Sequence, residues 1–242
     1  MVVRGVRASL GLLTRIPVGG FEVWPTYSAA WFWIPGLLAG IIWYFSYQVL
    51  GSTGAGMIGA IGGEAILTGA VHWRGFAKTV DGWTSRRAER NSDRRRFGIG
   101  VAGVLFMALA LLALWTLWIN AGALGPGVWL LPPLWGRAVL AWGTTWRRVD
   151  VSSPRASKFF RETHRGTGAW ITLLIALVIG VYILGFEAVG VFGATLIVSG
   201  LFVWWGSRLF RGLNEDVLWA CVIVAEVVAL YILALTAPPA FF

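Results

Sequence analysis

Val217-Leu-Trp-Ala-Cys-Val-Ile-Val-Ala-Glu-Val-Val-Ala-Leu-Tyr-Ile-Leu-Ala-Leu-Thr236 carries one residue of the Asp, Glu, Lys, Arg and His set, Glu226, in its whole length. A helix needs about 20 mostly apolar residues to cross the hydrocarbon core of a bilayer, and this run meets that requirement. Outward from it, similar runs occupy 29–50, 54–71, 99–122, 126–146, 168–186 and 188–206, and each break between them holds Gly, Pro or charge. A membrane barrel would instead alternate polar and apolar residues over segments of about ten. The sequence therefore predicts an all-α, polytopic integral membrane bundle of seven transmembrane helices, forming one domain over 1–242.

Composition agrees. Of 242 residues, 57% are hydrophobic and 13% charged, against roughly 25% charged in soluble domains. With the N-terminus in the cytoplasm, segments 1–28, 72–98, 147–167 and 207–216 face inward and hold 19 of the 20 basic residues. Lys and Arg are retained on that side, so the net charge of +9 marks a cytoplasmic membrane face and no nucleic-acid partner is expected. The expected location is the inner, cytoplasmic membrane, multi-pass, with the active face cytoplasmic. Many of the 16 tryptophans stand at span ends, as in an interfacial belt. Arg4, Arg7 and Arg15 interrupt the N-terminal stretch and argue against a cleaved leader. The single Cys221 excludes an intramolecular disulfide and a cysteine metal cluster.

Ionisable groups inside a bilayer are costly and mark function or pairing. Glu64, Arg137 and Glu226 lie within spans, while His72, Asp81 and Asp216 lie near the cytoplasmic boundary. Glu64 and Arg137 either pair between helices or serve a site. In Leu67-Thr-Gly-Ala-Val-His-Trp-Arg-Gly-Phe-Ala-Lys-Thr-Val-Asp-Gly82, helical spacing puts Arg74, Lys78 and Asp81 on one face. That stripe either presents two cations to an anionic ligand or lets Asp81 neutralise Lys78, and spacing alone favours the second.

The same segment resembles the hallmark of the cobalamin synthases (adenosylcobinamide-GDP ribazoletransferases), Thr-Gly-Gly-x-His-x-Asp-Gly-x-x-Asp-Thr-x-Asp-Gly. Thr68, Gly69, His72, Gly75, Thr79, Asp81 and Gly82 match at the same spacing. Leu13-Thr-Arg-Ile-Pro-Val18, Ile34-Pro-Gly-Leu-Leu-Ala-Gly40, Gly100-Val-Ala-Gly103 and Gly212-Leu-Asn-Glu-Asp216 followed by Glu226 are similar to further family motifs, in the family's order. The resemblance covers nearly the whole chain. It implies Mg²⁺-dependent phosphoryl transfer in the last steps of cobalamin biosynthesis, with ribazole or its phosphate joined to adenosylcobinamide-GDP and GMP released. It also implies His72, Asp81 and Asp216 as catalytic residues.

The chain departs from the pattern where acids are expected. Arg74 and Lys78 replace the hallmark's first two aspartates, Arg96 falls where the family has another acid, Glu215 replaces a Gly, and Ile223 replaces a Glu. A cation within a few ångströms of Mg²⁺ would repel it by several kcal/mol at intermediate dielectric, so the family's Mg²⁺ site should not survive. Asp81, Asp216 and Glu226 would hold a metal only if the fold brings them together.

Two functions follow. One is a transferase whose Arg74, Lys78, Arg96, Arg137 and Lys158 bind a phosphate-bearing small molecule in place of metal. The other is a non-catalytic or repurposed paralogue that binds a phosphate-bearing ligand or anionic lipid, or serves as a membrane subunit. A homo-oligomer is compatible with both. A transporter is a weaker third reading, because neither an inverted repeat nor paired broken helices are evident.

Overall fold

A computed structural model describes residues 2–19, 27–85, 99–121, 124–146, 167–210 and 212–236. Every regular element among them is helical. The elements are α1 (Val2–Leu13), a 3₁₀ turn (Ser28–Trp31), α2 (Trp33–Leu50), α3 (Gly54–Thr68), α4 (Val71–Thr84), α5 (Val101–Ala121), a second 3₁₀ turn (Pro126–Leu130), α6 (Leu131–Gly143), α7 (Gly168–Leu184), α8 (Glu187–Leu209) and α9 (Glu215–Thr236). Arg96 and Lys158, named from the sequence, lie outside the described residues, as do the basic stretches 86–98 and 147–166.

Large apolar side chains cover the outside of the bundle: Tyr182 is 90% exposed, Val101 and Phe186 87%, Ile66 79%. Water-soluble monomers rarely expose apolar patches beyond a few hundred Å², whereas lipid accepts this surface without cost. The chain is a multi-pass membrane protein. Four helical segments are long and apolar enough to cross a bilayer alone: Ser28–Leu50, α5, α8 and α9.

Three expected spans take other forms, and the count of seven is not reached by this measure among the described residues. The run 54–71 ends early, because Gly69 (φ +67°) and Ala70 (φ +54°) adopt left-handed conformations and turn the chain by 93° into α4. A fifth crossing exists only if α3 and α4 count as one bent span. The run 126–146 becomes the 3₁₀ turn and the 13-residue α6, in which every residue but Trp142 is buried. Pro132 and Pro133 stand in the first turn of α6, the part of a helix that proline suits, and so regular helix does not extend upstream through them. A helix buried on all sides is a core element. Accordingly α6 packs against α2, α7, α8 and α9. The 17 residues of α7 reach about 25 Å at 1.5 Å per residue, short of a perpendicular crossing.

The N-terminal segment, expected only as a basic flank, forms α1. Its Gly5, Ala8, Ser9 and Leu13 face the bundle while Arg4 and Arg7 are exposed. Arg7 folds back to donate to the Val18 carbonyl at 2.6 Å.

α9 is the hub, with α4, α6, α8 and α5 packed around it. α4 approaches it closely at Gly75, where a Cβ would lie 2.3 Å from Trp219 Cβ and 2.9 Å from the Asp216 carbonyl oxygen. Neither neighbour is the free end of a flexible side chain, so a larger residue must separate the helices. Gly75→Val is expected to cost about 1–3 kcal/mol, the usual penalty of overpacking, read as a lowered melting temperature in detergent.

Candidate functional site

Two polar assemblies hold this region together, one deep in the bundle and one at the end of α4. In the first, Arg137 projects from the middle of α6 and is fully buried. Its Nη2 donates to Glu64 Oε1 on α3, and its Nη1 donates to Glu226 Oε1 on α9. Nη1 also reaches the Pro133 carbonyl at 3.3 Å, and Trp43 Nε1 on α2 donates to the other Glu64 oxygen at 2.7 Å. Three helices thus meet at one guanidinium, and Trp43 ties in a fourth through Glu64. Of the two alternatives open for Glu64 and Arg137, the pair between helices is the one formed, with Glu226 as its third member. Removing one partner from a buried ion pair strands the rest, at about 3–5 kcal/mol. Arg137→Met should destabilise by about that amount, seen as loss of the folded monodisperse species in detergent or a sharply lowered melting temperature.

In the second assembly the Asp81 carboxylate leaves α4 and caps α5. Oδ2 accepts from the Gly100 N–H and Oδ1 from the Gly103 N–H, both at 2.7 Å. The first N–H groups of a helix have no intrahelical partner and carry partial positive charge, so a carboxylate there is doubly favoured. The spacing Gly100-x-x-Gly103 acquires a physical reason. A Cβ at 100 would lie 2.8 Å from Asp81 Oδ1, and one at 103 would lie 2.6 Å from Oδ2 and 2.7 Å from the Ala77 carbonyl oxygen. The pairing of Asp81 with Lys78 favoured by spacing is corrected. The ion pairs among the described residues are those of Arg137, and Asp81 spends both oxygens on α5. Losing a helix cap costs about 1 kcal/mol, so Asp81→Ala should lower the melting temperature and raise amide hydrogen exchange in the first turn of α5.

His72 is 1% exposed, its ring 5.4 Å from that of Trp219 on α9. Neither ring nitrogen has a hydrogen-bond partner among the described residues. Asp216 lies in the first turn of α9, where its carbonyl oxygen faces Gly75. Arg74 is exposed on α4 and Lys78 half-exposed, so the cations of the stripe point away from the packed face that carries His72, Gly75 and Thr79. Arg137, expected among substrate-binding residues, is instead enclosed by its two carboxylates.

The Mg²⁺ implied by the resemblance needs oxygen ligands in near-octahedral array at about 2.0–2.1 Å. Asp81, Asp216 and Glu226 do not come together for it. Asp81 is committed to α5 and Glu226 to Arg137, and among the described residues no three His, Cys, Asp or Glu side chains are placed to hold a metal ion. The described residues do not fit the ion. Sequence reasoning missed Trp43 as the fourth partner of the buried cluster and the capping role of Asp81. The Gly-x-x-Gly was the only available signal for the latter.

Comparison with known proteins agrees with this arrangement of motifs. Residues 5–234 match the family model described as cobalamin-5-phosphate synthase. An adenosylcobinamide-GDP ribazoletransferase of Nitratidesulfovibrio vulgaris (strain DSM 19637 / Miyazaki F) is 31% identical over 245 residues, covering 94% of this chain and 93% of that protein. One of Shewanella amazonensis (strain ATCC BAA-1098 / SB2B) is 29% identical over 215 residues, covering 83% and 80%. No solved structure matches. With motifs, helices and relatives agreeing along nearly its full length, the chain belongs to the cobalamin-5-phosphate synthase family.

Proposed function

We propose that this protein is a ribazole transferase acting on adenosylcobinamide-GDP at the cytoplasmic face of the inner membrane, with side-chain cations in the place of the family's metal. The observation that carries the proposal is the division of α4 into two faces. One face is packed on α9 and α5 and bears His72, Gly75 and Thr79, and the other turns Arg74 and Lys78 outward. Family membership supplies the reaction class, and the residues supply its electrostatics.

In the proposed reaction a sugar hydroxyl of ribazole, or of ribazole phosphate, attacks the cobinamide-side phosphorus of the diphosphate. The new P–O bond forms as the bond to GMP breaks, and GMP leaves with the electron pair. Charge grows on the leaving phosphate, and in such transfers catalysis consists mostly of positioning and electrostatic stabilisation. Arg74 offers a planar fork to two phosphate oxygens and Lys78 a point charge to another. An attacking hydroxyl must lose its proton. His72, whose ring nitrogens have no hydrogen-bond partner among the described residues, is the proposed acceptor at the seam between α4 and α9. Asp216 is proposed to hold the attacking group at the start of α9. Asp81 acts at one remove, by fixing α4 against α5.

The commitment of Asp81 and Glu226 to protein partners favours a second reading, a phosphate-binding membrane subunit without turnover. Purified protein in nanodiscs, given adenosylcobinamide-GDP and ribazole phosphate with Mg²⁺ or with chelator, separates the two. The proposal expects GMP release and corrinoid product in both conditions, and a fall of more than tenfold in kcat/KM for the Arg74→Asp, Lys78→Asp double variant. No product, while an intact relative turns over in the same assay, would leave the second reading.

A further inference from the structure

The motif at 13–18 and the motif at 67–69 are far apart in sequence but touch in the fold. The Arg15 N–H donates to the Leu67 carbonyl at 2.7 Å, which holds the chain after α1 against the end of α3. The Arg15 side chain then lies over Gly69, where a Cβ would stand 2.1 Å from Arg15 Nε and 2.9 Å from Cζ. Gly69 is needed twice, once for its φ of +67° and once because its missing side chain is the seat of the guanidinium. Ala70 follows, and its carbonyl accepts from the Arg74 N–H at 3.0 Å, so Arg15 is seated within a helical turn of the start of the cationic face.

Three of the other described arginines have partners within the protein. Arg7 binds the Val18 carbonyl, Arg137 binds its two carboxylates, and Arg208 stacks on Trp204 at 5.1 Å. Arg15 is exposed and has no hydrogen bond, ion pair or ring contact from its guanidinium among the described residues. Seating a long cationic side chain costs rotamer entropy, and no bond within the described protein offsets that cost. An anion bound beside α4 would.

We infer that Arg15 is a further substrate-binding residue, which donates from its seat on Gly69 to a phosphate oxygen of the diphosphate engaged by Arg74 and Lys78. The inference rests on the proposed function for the identity of that ligand, though not for its phosphate chemistry. A charge-assisted hydrogen bond of this kind corresponds to about tenfold in affinity.

Full-length protein in phosphatidylcholine nanodiscs is titrated with inorganic pyrophosphate by calorimetry, and its kinetics are measured with adenosylcobinamide-GDP. Arg15→Gln should weaken pyrophosphate about tenfold and raise KM by a similar factor, with a smaller change in kcat and an unchanged melting temperature. Arg15→Lys should recover part of the loss. Gly69→Ala, which pushes the guanidinium off its seat, should weaken binding in parallel. Unaltered pyrophosphate affinity and KM in Arg15→Gln would overturn the inference, as would a lowered melting temperature without any loss of affinity. Unaltered pyrophosphate affinity together with lost stabilisation by added phosphatidylglycerol would also overturn it and assign the residue to lipid. Pyrophosphate binding that depends on Arg15, without GMP release by the wild type, would sink the transferase proposal and leave this one standing.

Discussion

One guanidinium, that of Arg137, ties together the centre of this molecule. It is fully buried in a helix that is itself buried nearly all round, and it reaches carboxylates on α3 and α9 at once. Leaving such a cation unpaired away from water would cost several kcal/mol, so any arrangement that fails to bring Glu64 and Glu226 to it is heavily penalised. A directional bond discriminates between registers in a way apolar packing does not. Sliding α9 past α6 by one turn would leave most leucines and valines content but would separate Arg137 from Glu226. Trp43 adds α2 to the same constraint through its bond to Glu64.

Once α3 and α9 are fixed to α6, the placement of α4 follows. It begins two residues after α3 ends, across the left-handed pair Gly69 and Ala70, and lies at 93° to α3. Its remaining freedom is removed at two points. Gly75 settles against Trp219 and the Asp216 carbonyl, and Asp81 binds the free amides of α5. The glycines at 75, 100 and 103 share one purpose, which is to let backbone or a carboxylate approach where a side chain would intrude. A deeply buried ion cluster therefore orients, through one rigid bend, the helix that carries the proposed chemistry.

The broad class was legible from hydropathy alone, because the outside of this bundle is as apolar as its inside. The same fact hid the difference between a helix that faces lipid and one that faces protein. Residues 126–146 have the hydropathy of a span, yet α6 is a short core helix, and only its prolines and the buried Arg137 distinguish it. Pairing was legible as a set of alternatives: Glu64 and Arg137 are 73 residues apart, and no local spacing rule relates them. For Asp81 local spacing pointed to Lys78 three residues back, but two amides at the open end of a helix, each with a fixed direction, outcompete a flexible solvated ammonium. The recurrence of glycines at 69, 75, 100 and 103 could be read, but what each admits depends on neighbours brought in by the fold.

The distribution of charge has a further consequence for what this helix can bind. Asp81 gives both oxygens and Glu226 one oxygen to protein donors, whereas Arg15 and Arg74 are exposed with no described partner for their charge. Asp81 and Glu226 are therefore largely compensated where they stand, and Arg15 and Arg74 add positive charge beside the start of α4. Bound Mg²⁺ would invert the sign of a carboxylate-lined site, and a site lined by arginine has that sign from the start. The two differ in geometry, since a metal collects oxygens around a point while guanidinium forks align them in a plane. A diphosphate held by arginines is therefore fixed in orientation before the attacking group arrives. Fixed donors also stabilise the charge that grows on the leaving phosphate without reorganising during the step. Under the proposed function, the exchange of aspartates for cations would preserve the electrostatic requirement of diphosphate transfer while moving its control from an exchangeable ion to the covalent chain.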